Sequence, residues 1–130
     1  TVLSGKTPSN VIDNSMLLAA NYARPLSNGA DLTFDIQYSR QGKGESMPPA
    51  NPITNPSYSV VNMQLGYSTG PWDLVISVDN LFDEDYYTDL ENFPNFGLDS
   101  PDFGGTGPAT IVIGTFGQPK IAQASLTYNF

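Results

Sequence analysis

The chain has 130 residues, a net charge of −8, only 14% charged residues, 12% aromatics, 12 Gly, 11 Pro and neither Cys nor His. Without those two residue types it has no imidazole base, no thiol nucleophile, no thiolate or imidazole metal site and no disulfide framework. Five Lys and Arg against thirteen acids do not suit a nucleic-acid binder, and no apolar run approaches the ~18–20 residues of a membrane helix.

Period-2 alternation of apolar and polar residues recurs in five segments, which predicts strands near 14–24, 31–40, 58–68, 72–80 and 119–130, with no helix. In the first, Met16, Leu18, Ala20, Tyr22 and Arg24 share one phase, with Leu17 intruding on the other. The second sets Leu32, Phe34, Ile36 and Tyr38 against Thr33, Asp35, Gln37 and Ser39. In the third, Val61, Met63, Leu65 and Tyr67 face away from Val60, Asn62, Gln64 and Gly66. The fourth opposes Trp72, Leu74, Ile76 and Val78 to Asp73, Val75, Ser77 and Asp79. The fifth places Ala122, Ala124, Leu126, Tyr128 and Phe130 opposite Gln123, Ser125, Thr127 and Asn129.

Between these strands, connections alternate in length. Residues 25–30 and 68–71 are Pro-, Gly- and Asn-rich tight turns, whereas 41–57 and 80–118 are long loops. All short turns then lie at one end of the strands and all long loops at the other, the asymmetry of outer-membrane barrels. Strands of about 9–11 residues suit a bilayer crossed at ~45°. Outward-phase aromatics Tyr22, Tyr67, Trp72, Tyr128 and Phe130 gather at the short-turn end, as in the girdle of such a barrel. Arg40 and Lys120 stand at the other end, placed to snorkel or to meet lipopolysaccharide phosphates. The expected class is all-β: an antiparallel up-and-down transmembrane barrel segment. Alternation alone also fits a soluble extracellular β-sandwich that binds carbohydrate through acidic and aromatic loops. In that alternative Leu32, Phe34, Ile36, Leu74, Ile76 and Val78 form a core.

Two motifs carry a family resemblance. "VDNLFDEDYY" resembles the N-L-F-D-x-x-Y element of TonB-dependent outer-membrane receptors: Asn80, Leu81, Phe82 and Asp83 match, and Tyr86 or Tyr87 supplies the aromatic. "GQPKIAQASLTYNF" is similar to the family's closing G-x-P-R…Y-x-F, through Gly117, Pro119, Tyr128 and Phe130, with Lys120 in place of the commoner arginine.

The resemblance implies about five strands of a barrel of about 22, in the outer membrane of a Gram-negative bacterium. It implies uptake of a scarce nutrient, ferric siderophore first, then cobalamin or a glycan. The partners it implies are outer-membrane lipid and lipopolysaccharide, the nutrient ligand, and TonB through a region outside this chain. The barrel-assembly machinery joins them, with Leu126, Tyr128 and Phe130 as the apolar positions of an assembly signal. A fragment of a longer receptor is expected, neither enzyme nor holder of a cofactor.

Tyr86, Tyr87, Phe93, Phe96 and Phe103 are candidates to stack on a ligand from the longest loop, or else to pack on one another. Eight of the thirteen acids fall at Asp79, Asp83, Glu84, Asp85, Asp89, Glu91, Asp99 and Asp102. Their spacing is not that of an EF-hand, and they are expected to solvate the loop rather than bind a cation. Residues 104–108, "GGTGP", lack the Lys-Ser/Thr and helix of a phosphate cradle.

Overall fold

The computed structural model describes residues 11–46, 53–94 and 110–130. These hold nine strands: β1 (Ser15–Pro25), β2 (Asp31–Gln41), β3 (Gly44–Glu45), β4 (Thr54–Asn55), β5 (Tyr58–Thr69), β6 (Trp72–Asp79), β7 (Tyr87–Pro94), β8 (Thr110–Phe116) and β9 (Ile121–Tyr128). Among the described residues there is no helix, and every strand pairing is antiparallel. The chain divides into two compact units.

One unit is a five-stranded sheet in the order β1-β2-β5-β6-β9. Its strands occupy the five alternating segments, and its register merges their separate patterns. Tyr22, Phe34, Leu65, Ile76 and Ala124 are successive cross-strand partners. So are Ala20, Ile36, Met63, Val78 and Ala122. Directly opposed residues share a face, so these rows make one apolar surface. On the other face Asn21, Asp35, Gln64, Ser77 and Gln123 form a wholly polar row. Side chains reinforce it locally, for Asn21 Nδ2 donates to Asp35 Oδ1.

Two tight turns fix this register. After β1, Leu26 N donates to Ala30 O and Gly29 N to Leu26 O, with Gly29 at φ 80°. After β5, Gly70 takes φ 54° ahead of Pro71. Both glycines stand in the left-handed region that a side chain rarely adopts.

The sheet unit has almost no core. Across the described residues, Ala30 and Val60 are the buried hydrophobics. Leu18, Leu74, Ile76 and Leu126 of the apolar face are exposed, while Leu32, Phe34, Ile36 and Val78 are half-buried. β1 and β9 are the two edges.

The second unit comprises 1–14, 42–57 and 86–117. Its described residues add structure where long loops were expected. β3 pairs with β4, and β7 with β8, the latter through a register shift between Tyr87 and Asp89. The excursions 41–57 and 80–118 therefore each contain a hairpin. "TIVIGTF" in β8 is rich in β-branched residues, which suit a strand, but its Gly- and Pro-rich surroundings mask the signal in sequence.

Candidate functional site

The residues matched by the N-L-F-D element build a densely hydrogen-bonded polar cluster in the sheet unit. Beyond β6 the backbone turns sharply, with Asn80 at φ 50° and Asp83 at φ 56°. Asp83 N donates to Asn80 O at 2.9 Å, closing the turn. Asn tolerates the left-handed region better than most residues because its short side chain bonds locally. Here it does so fully. Asn80 Nδ2 donates to Glu84 O at 2.9 Å and to Gln118 O at 3.0 Å, while its Oδ1 accepts from Glu84 N at 2.9 Å.

Asn80 is 2% exposed, so these bonds satisfy a buried amide that would otherwise be costly. Its own N–H donates to Asn62 Oδ1, and Leu81 N donates to Val61 O. Lys120 N donates to Asp83 Oδ1 at 3.1 Å. Phe82 of the same element is exposed, and Leu81 is half-buried.

In the other unit, Tyr86 and Gly117 meet. Gly117 N donates to Tyr86 O, and a Cβ added to Gly117 would lie 2.0 Å from Tyr86 Cζ. Tyr86, rather than Tyr87, is thus the aromatic that packs against the glycine of the closing motif. Tyr87 instead stacks on Phe116, centroids 4.6 Å apart. Both tyrosines are half-buried. Two of the ligand-loop candidates are therefore engaged in packing within their own unit. Phe93 falls in β7. Phe96 and Phe103, with Asp99, Asp102 and residues 104–108, lie outside the described residues.

Tyr22, Tyr67, Trp72 and Tyr128 of the apolar face do not share one row of the register. Tyr22 is level with Ile76 and Ala124; Tyr67 pairs with Leu74 one row nearer the tight turns; Trp72 pairs with Tyr128 one row further still. From β1 to β9 the aromatics step by two rows, or four residues. At ~3.4 Å per residue and ~4.8 Å between strands, their line runs about 35° off the perpendicular to the strands. Trp72 meets Tyr128 edge-on at 4.7 Å, and Tyr128 meets Phe130 at 5.1 Å. Leu126, Tyr128 and Phe130 are all exposed on that face.

The polar face holds an open groove of about 370 Å³, lined in part by Asn21, Asp35, Gln37, Asn62, Gln64 and Asp79. Among the described residues no group of three acidic side chains converges to hold a metal ion. No family model, curated protein or solved structure matches this chain.

What sequence reasoning missed is the partnership between motifs. Asn80 with Gln118, and Asp83 with Lys120, are separated by 38 and 37 residues. The resemblance selects Asn80, Asp83 and Gly117 as members of two separate motifs and says nothing of their meeting.

Proposed function

We propose that this chain is a stretch of transmembrane β-barrel wall with its loops, from an outer-membrane receptor of the TonB-dependent kind. In this reading it is passive as chemistry. The apolar face meets lipid, the polar face lines the lumen, and the excursions 41–57 and 80–118 lie outside the cell. The receptor would import a scarce nutrient, a ferric siderophore on the strength of the resemblance, with cobalamin or a glycan as alternatives.

The observation that carries this reading is the slope of the aromatic line. Barrel strands tilt by ~35–45° from the barrel axis. An aromatic line inclined about 35° to the strand perpendicular therefore lies level in the membrane plane. Rings at that height suit the membrane–water interface, where their apolar bodies and polar tips are both accommodated. On the same slope Arg40 and Lys120 stand roughly 20 Å away, close to the ~25 Å height of a barrel's apolar band. A soluble sandwich, in contrast, needs Leu74 and Ile76 in its core, and they are 36% and 41% exposed.

The single tryptophan tests this directly. With the full chain in lipid vesicles, Trp72 emission should shift to the blue. Lipids brominated near the headgroup should quench it more strongly than lipids brominated near the bilayer centre. Emission that stays water-like and unquenched would end the membrane reading.

A further inference from the structure

The β6–β9 pairing poses a register problem that the pairings closed by tight turns do not, and its connection is the longest in the sheet. β1–β2 and β5–β6 are joined by tight turns, whose geometry sets which residues oppose one another. β2 and β5 are joined through 42–57, and β6 and β9 through the much longer 80–120. A connection of that length leaves the register of β9 open. Yet a slip of one residue would turn Leu126 and Tyr128 to the polar face, and a slip of two would separate Trp72 from Tyr128.

We infer that Asn80 and Asp83 set the register of β9 against β6, acting as a side-chain lock where no turn can. The last ladder pair is Asp79 with Ile121. Immediately beyond it, the sharp turn that follows β6 is tied by its side chains to the segment that enters β9. Asn80 Nδ2 binds Gln118 O, and Asp83 Oδ1 binds Lys120 N. Each contact pairs a fixed residue of the turn after β6 with a fixed residue of the segment before β9, so together they define one alignment.

The lock is rigid at its root. Asn80 is buried, its left-handed turn is closed by Asp83 N, and its amide is tied twice to the Glu84 backbone. It is also tied to β5 through Asn62 Oδ1. One nitrogen contacts the carbonyls of Glu84 and Gln118 together, so the excursion leaves and returns at adjacent points. What lies between can then differ in length or content without altering the face that β9 presents. The lock works in the same way whether the apolar face meets lipid or protein, so it stands independently of the membrane proposal.

Disulfide trapping tests the lock against a cysteine-free background. In the full chain folded in detergent micelles, the pair L74C/L126C reports the native register, since these residues oppose each other. L74C/A124C and L74C/Y128C report slips of two residues in either direction. L65C/I76C, across the tight turn, is the control.

With N80A/D83A, the ratio of native to slipped cross-links should fall at least tenfold, while the control pair forms as before. D83A alone should give a smaller fall and an Asn80 turn that still protects the Glu84 amide from exchange. N80D keeps the acceptor for Glu84 N but loses both donated bonds, so its native-to-slipped ratio should fall while Glu84 protection stays as in the wild type.

Unchanged cross-link ratios in N80A/D83A overturn the inference. So does an equal loss of native and control cross-links, which marks general destabilisation. Should N80A/D83A not fold, D83A decides by the same two ratios.

Discussion

Gly117 shows how a single hydrogen atom can be the right side chain. The Tyr86 ring occupies the space where a Cβ would project, 2.0 Å from Cζ. Gly117→Ala must therefore displace an aromatic ring, and overpacking of this kind costs about 1–3 kcal/mol. Urea or thermal unfolding of the variant in micelles should show that loss. Tyr86→Ala in the same background should restore part of it, because the clash partner is gone. Gly70→Ala should behave differently. Nothing lies within 4 Å of its Cβ position, so only its φ of 54° penalises the change, by roughly 1 kcal/mol. At this scale the sequence marks Asn80, Asp83 and Gly117 through their motifs. It does not show that Asn80 is buried, or that Tyr86 and not Tyr87 meets the glycine. Those facts follow from which backbone groups a folded turn leaves without partners, and adjacent tyrosines look alike until the strand phase is known.

Along each element, the two faces of β6 make the sharpest contrast. Ile76 belongs to the apolar row with Leu65 and Ala124, while Ser77 belongs to the polar row with Gln64 and Gln123. In a bilayer, Ile76→Lys near mid-height should cost about 2–4 kcal/mol of folding stability, whereas Ser77→Lys should change it far less. Equilibrium unfolding in lipid vesicles checks the asymmetry, and equal costs for both would speak against a lipid-facing row. The five sheet strands are legible because period 2 survives in them almost without a break; even β1, with Leu17 out of phase, keeps Met16, Leu18, Ala20 and Tyr22 together. β7 and β8 are not. In β8 the run Ile111, Val112, Ile113 is apolar on both phases and so has no period to read. β3 and β4 are two residues each, too short for any pattern.

For the molecule as a whole, exposure of the apolar face and two unpaired edge strands predict poor behaviour in water. Unpaired edges recruit other chains, and an exposed apolar sheet adds to that tendency. Diluted from denaturant into detergent-free buffer, the chain should aggregate; diluted into micelles, it should stay dispersed by light scattering. A monodisperse soluble monomer would contradict the reading of an uncovered lipid-facing wall. What the sequence determined by itself is local: strand positions, the two faces of each strand and the tight turns, because side-chain alternation and glycine backbone freedom act between near neighbours. Only tertiary structure decided how the five faces align. Cross-strand register set Tyr22, Tyr67 and Tyr128 on a line about 35° off the strand perpendicular, and it brought Asn80 to Gln118 across 38 residues. Pairing between distant strands is a choice among alignments that look equally apolar in one dimension, and hydrogen bonds between particular residues make that choice.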